Sequence, residues 1–146
     1  MSQGMSATDA ATGSGLPGAQ ARPRMLGVLR VGVTLELAAI LLQAVTAGGL
    51  LDHVAAEKTL HGTGALVVNV LGLLMLVGAI LVWRPGRGPG WPAIVSAVIF
   101  AGGFAQEAFG ESRMLSLHVP FGMTLMALTT WVFVWAWWRR PARATS

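Results

Sequence analysis

Four long apolar runs, separated by short breaks that hold nearly all the charge, constrain this chain more than any other feature. They cover about residues 26–51, 61–83, 91–109 and 115–138, each about 19 to 26 residues long. About 20 residues of α-helix, rising about 1.5 Å each, cross a hydrocarbon core of roughly 30 Å. Inside lipid every backbone N–H and C=O must be satisfied within the segment, which selects helices over open strands. The runs are continuous and lack the alternation of a lipid-facing barrel strand. Only 11% of the 146 residues are charged and 54% are hydrophobic, whereas a soluble domain carries about a quarter charged residues. The expectation is an all-α integral membrane protein, a four-helix up-down bundle over residues 25–140 in the lipid bilayer. A disordered tail precedes it at 1–24 and a short tail follows at 141–146.

The breaks set the orientation. The turn "RPGRGPG" at 84–90 is rich in Pro and Gly and carries Arg84 and Arg87. Arg22, Arg24 and Arg30 flank the first run, and Arg139, Arg140 and Arg143 close the chain. The other two breaks hold only Lys58 and Arg113 among basic residues, beside Asp52, Glu57, Glu107 and Glu111. Basic residues concentrate on the cytoplasmic side. Both termini and the middle loop are therefore expected in the cytoplasm of a cell inner (plasma) membrane. Trp83, Trp91, Trp137 and Trp138 stand at run ends, where interfacial anchors belong.

Composition also excludes. With no cysteine, disulfides, thiolate metal sites and cysteine nucleophiles are absent. The net charge of +4 does not point to nucleic acid, because the arginines sit at the ends of apolar runs. There is no Walker loop and no dinucleotide fingerprint. The first 24 residues lack the basic and apolar regions of a secretory signal.

Two histidines repeat one pattern. In "EKTLHGTGALVV", from 57 to 68, His61 opens an apolar run, with Gly64 three residues later. In "RMLSLHVPFGMTL", from 113 to 125, His118 does the same, with Gly122 four residues later. Short loops favour neighbours in sequence packing side by side, so the second and fourth helices lie on a diagonal. His61 and His118 are expected in the first turns of those helices, opposed across the bundle at one depth. Two opposed imidazoles are what bis-histidine haem ligation requires, and small residues below them let a flat macrocycle approach the backbone. The positive helix N-terminus disfavours imidazolium and leaves the ligating neutral form.

The stretch "EKTLHG" resembles the Glu-x-x-x-His motif of haem A synthase, a family built of two four-helix halves with histidines on the second and fourth helices. This chain resembles one half. It is also similar to small uncharacterised bacterial four-helix membrane proteins with Gln and Ala-Gly late in helix one and Leu-His-x-x-x-Gly opening helix four. Here those are Gln43, Ala47, Gly48, Leu117, His118 and Gly122. The resemblance implies haem b held by His61 and His118, with Glu57 orienting His61 as carboxylates orient ligating histidines. The family has Arg after its first His, where Gly62 stands here. That departure and the single half count against synthase activity. Electron transfer or haem handling is the expected role, with a homodimer or a membrane redox partner as company.

Two rival readings come from the same residues. A cofactor-free accessory or scaffold protein would use the histidines as interfacial groups and the glycines for helix packing. A divalent-metal protein would use the stripe His53, Glu57 and His61, with Asp52, Glu107 and His118 nearby. Glu36 adds a carboxylate within the first run, with Gln43 seven residues on. It reads either as part of a proton or quinol path or as a residue near the cytoplasmic interface, about 9 Å along the axis from Arg30.

Overall fold

A computed structural model describes residues 18–138, with side chains from Arg24 onward. The expected tails at 1–17 and 141–146, and Arg139, Arg140 and Arg143, lie outside the described residues. Four helices follow one another: α1 (Gly18–Leu51), α2 (Ala55–Trp83), α3 (Trp91–Glu111) and α4 (Leu115–Trp138). All four are long and apolar enough to cross a membrane. This is a multi-pass membrane protein.

The first two helices begin earlier than their apolar runs do, while α3 and α4 begin where expected, at Trp91 and Leu115. α1 reaches back to Gly18, into the stretch expected to be a tail, and α2 starts at Ala55 rather than at residue 61. The segment "AAEKTL" is polar, but Ala, Glu, Lys and Leu are good helix formers. His61 is therefore not in the first turn of α2, and the dipole argument, which fades within one turn, does not apply to it. His118 does sit in the first turn of α4.

Neighbours in the chain pack side by side, and α1 also packs on α4; α1 with α3 and α2 with α4 are the diagonals. The bundle is the up-down ring that short loops dictate. Two loops have one geometry. In 52–54, His53 has φ of 60°, and in 112–114, Arg113 has φ of 57°. Val54 N–H donates to Gly49 O and His53 N–H to Leu50 O; Met114 N–H donates to Phe109 O and Arg113 N–H to Gly110 O. That pattern is the Schellman helix end, with a left-handed residue closing the helix.

These two loops lie at one end of the bundle, here the histidine end; the 84–90 turn lies at the other, the tryptophan end. The densest core is toward the tryptophan end, where Leu29, Val33, Met75, Ala79, Val132 and Ala136 are fully buried. Trp91 stacks on Trp131, 4.7 Å between centroids, and Arg30 lies over Trp137 at 5.2 Å. Large apolar side chains such as Leu42, Val45, Leu66 and Trp138 cover the outside. The outer surface is thus matched to lipid, which has no hydrogen bonds to offer.

Candidate functional site

At the histidine end the bundle turns polar. The His61 and His118 rings lie 6.2 Å apart between centroids, with 58° between their planes. The diagonal pairing expected from loop length is present.

Each histidine is latched to the preceding helix in its own hairpin. Gln43 on α1 donates from Nε2 to the His61 carbonyl at 2.9 Å. Gln106 on α3 donates from Nε2 to the His118 carbonyl at 2.8 Å. The two latches are related by a pseudo-two-fold, with one difference of register: the pair spans 18 residues in the first hairpin and 12 in the second. With the loops identical, the first latch sits one turn farther from its loop on both helices.

The ring nitrogens are fixed in the same way. His118 Nδ1 lies 2.9 Å from the Gln106 carbonyl oxygen. A carbonyl only accepts, so Nδ1 carries the proton and donates. His61 Nδ1 lies 2.9 Å from Thr46 Oγ1. The Thr46 hydroxyl gives its own proton to Gln43, at the main-chain oxygen 3.0 Å away or at Oε1 3.3 Å away. With its proton so placed, the hydroxyl oxygen is an acceptor for His61 Nδ1–H. With the proton at Nδ1 in both rings, Nε2 is the nitrogen left to bind a ligand. This is the tautomer that a ligating histidine needs, oriented by an acceptor behind the ring.

The glycines serve another purpose than the one expected of them. A Cβ on Gly64 would run into the Gln43 carboxamide, and one on Gly122 would stand 2.6 Å from Gln106 Nε2. Gly64 and Gly122 make room for the latching glutamines. They are not a bed for a macrocycle. Glu57 is not the residue behind His61 either. Its side chain packs on Gly49, its Oε2 is buried without a partner, and Thr46 takes Nδ1.

The stripe His53, Glu57 and His61 is broken, because α1 ends at Leu51 and His53 lies in the left-handed turn before α2. Among the described residues no group of three or more His, Asp or Glu side chains could hold a metal ion. Two surface grooves are not lined by either histidine. One is lined by Phe133, Val134, Trp137 and Trp138, the other by Phe109, Leu117, Pro120, Phe121 and Thr124.

Glu36 is neither at an interface nor on Gln43's bonding network. It lies twelve residues beyond Arg24 and fifteen before Leu51, and it is only 1% exposed. Asn69, also buried, donates to Glu107 Oε1 at 2.8 Å. The sequence alone gives no role to Asn69, Gln106 or Thr46. The recurring signal was a Gln before each Schellman loop and a His after it.

The chain is similar to the vitamin B12 import system permease protein BtuC of Photorhabdus laumondii, 32% identical over 112 residues. The match covers 75% of this chain and 32% of that protein, so the chain spans about a third of its relative's length. No family model matches the chain. No solved structure matches it.

Proposed function

We propose that the protein is a membrane-embedded bis-imidazole site in which His61 and His118 would hold one haem b, serving electron transfer or haem handling. The observation that carries this reading is the ring pair. His61 and His118, on diagonal helices, bring their rings within 6.2 Å between centroids at one end of the bundle. Both Nδ1 positions are spent on acceptors behind the rings, which leaves Nε2 of each as the donor atom.

The lack of a third protein ligand among the described residues favours haem over a bare divalent ion. A structural or catalytic zinc takes three or four protein ligands. A centre with only two suits a metal that brings its own equatorial ligands. The donor set fits haem iron; Gly64 and Gly122, filled by glutamine, do not supply its bed. When bound, the iron supplies one-electron chemistry. The chain would supply one Nε2 from each ring, with Thr46 and the Gln106 carbonyl behind the rings.

The eight-to-two distribution of basic residues supports placing the histidine end outside and both termini in the cytoplasm of the inner membrane. With both ligands at one end, the site serves one face of the bilayer and needs a membrane redox partner or a second copy to pass charge across. The resemblance to one half of haem A synthase supports the ligand assignment at His61 and His118 and leaves synthase activity out. The likeness to a permease favours instead the cofactor-free reading, in which the same latches only hold the hairpins together.

The deciding experiment is an optical spectrum of protein purified in mild detergent from haem-replete cells, oxidised and then reduced. The expected result is a Soret band with reduced α and β bands at about one haem per chain, abolished in His61→Ala and in His118→Ala. A colourless, fully helical protein would end this reading in favour of the cofactor-free one.

A further inference from the structure

The hydrocarbon part of the bundle contains one ionisable side chain. On α1 beyond Arg30, and throughout residues 62–83, 88–105 and 119–138, that residue is Glu36. It is 1% exposed, and its Oε2 is buried with no hydrogen-bond partner. Arg30 points elsewhere, donating from Nε to Ala136 O at 3.0 Å beneath Trp137. Met75, Ser96 and Thr129, buried on α2, α3 and α4, are not titratable. A carboxylate ion taken out of water without a donor or counter-charge is strongly disfavoured. The group is tolerated here by holding a proton.

The surroundings give that proton a way in. Glu36 lies against Gly72, where a Cβ would stand 3.3 Å from Oε1 and 3.7 Å from Phe100. Asn69 is three residues from Gly72 on α2, about 4.5 Å along the axis, toward the histidine end. It is buried, its Nδ2 donates to Glu107 Oε1, and its Oδ1 fills the notch over Gly103. Glu107 is half-buried and one turn from the end of α3. A carboxylate near the surface, a buried amide, a glycine gap and a buried carboxyl therefore follow one another inward.

We propose that Glu36 is an exchangeable proton site in the membrane interior, loaded from the histidine end past Glu107 and Asn69. A proton from water reaches the Glu107 carboxylate, passes the Asn69 amide, and ends on the Glu36 carboxylate. No electron moves, and the site does not depend on what the histidines hold.

The test is infrared spectroscopy of the protein in lipid bilayers, following a protonated-carboxyl C=O band on exchange from H2O to D2O. Wild type should show a band that shifts with deuterium and is missing in Glu36→Gln. Asn69→Leu, which replaces the amide with an apolar side chain, and Glu107→Gln should each slow the exchange at least tenfold. Ser96→Ala, on the tryptophan side of Phe100, should leave the rate unchanged. Circular dichroism checks the helicity of each variant, and Glu107→Gln carries the test if Asn69→Leu does not fold. No Glu36-dependent band in wild type, or unchanged exchange when Glu107 is replaced, would overturn the proposal.

Discussion

The α1–α2 and α3–α4 hairpins end in the same Schellman loop and carry the same glutamine–histidine latch, yet they are packed by different means. In the first, backbone meets backbone. Gly32 lies on the main chain of Met75, where a Cβ would come within 3.0 Å, and Gly78 lies on Leu29, where it would come within 2.7 Å of Cα. In the second, side chains fill the seam. Trp91 stacks on Trp131 and meets Trp135 edge-on, and Phe109 meets Phe121 edge-on at 5.7 Å. Lipid provides no hydrophobic drive between helices, so association rests on close packing and on polar contacts. The hairpins show two solutions to that requirement, close glycine contact and aromatic interlock. The latch geometry survives the change, which separates what holds the hairpins from what positions the histidines.

The sharpest way to break this comparison is to add one methyl group to each seam. Gly78→Ala places a Cβ against the backbone of Leu29, which cannot move without moving α1. Overpacking of this kind costs about 1–3 kcal/mol, and Gly78→Ala belongs at the upper end. Gly102→Ala puts its Cβ 2.7 Å from Leu125 Cδ2, the far end of a flexible side chain that can turn aside. It should cost less than about 1 kcal/mol. Denaturant titration followed by circular dichroism in detergent reads both. Equal losses would mean the two seams are not built differently after all.

Next in size is the tautomer lock, where the hairpins differ by one hydroxyl. His118 Nδ1 donates directly to a main-chain oxygen, which no substitution removes, whereas His61 Nδ1 donates to the Thr46 side chain. Thr46→Val keeps the shape and deletes the acceptor. Outer partners of ligating histidines are worth about 10–100-fold in affinity, so Thr46→Val should weaken haem retention by about that factor in a haem-transfer assay. Unchanged affinity would make the hydrogen bond behind His61 incidental.

Much of this arrangement is legible in the sequence, for physical reasons that also mark where legibility stops. Hydrocarbon thickness makes the four spans plain. Loops of a few residues force neighbours together, which puts His61 opposite His118. The start of α2 is hidden because "AAEKTL" looks like a solvated loop by polarity while its residues favour helix. The latches are hidden because the two Gln-to-His spacings differ, 18 against 12, so no fixed period repeats. Thr46 gives no signal, since a hydroxyl in an apolar helix ordinarily bonds its own helix. Gly64 and Gly122 are visible as small residues, but a glycine does not say which neighbour uses its space; the glutamines do. Glu57 stands four residues before His61, one helical turn away, and that spacing suggested a contact which Thr46 makes instead.

The latches themselves should cost less to remove than the Gly78 or Thr46 change, and unequally. Gln43→Ala loses the bond to the His61 carbonyl and the contact from Thr46, about 1 kcal/mol. Gln106→Ala loses the matching bond to His118 but also removes Oε1, which is buried with no partner. An unpaired buried acceptor is costly to keep, so its removal offsets the lost bond. Gln43→Ala should therefore unfold at lower denaturant than Gln106→Ala. The reverse order would mean that the Gln106 oxygen has a partner in the membrane, such as ordered water.

The smallest effect is expected at the loops, and there the hairpins should respond alike. His53 and Arg113 hold φ of 60° and 57°, at a position where glycine is usual. The left-handed conformation costs a residue with a Cβ about 1–2 kcal/mol, while glycine gives back about 0.5–1 kcal/mol through the freedom it loses on folding. His53→Gly and Arg113→Gly should each stabilise the protein by about 0.5 kcal/mol, measured by the same denaturant titration. Equal gains would identify the loops as one motif used twice, with the divergence confined to the helix seams. A gain at Arg113 alone would mean that the His53 side chain contributes to the end of the bundle where the histidine pair lies, and the two hairpins would then differ in their loops as well as in their packing.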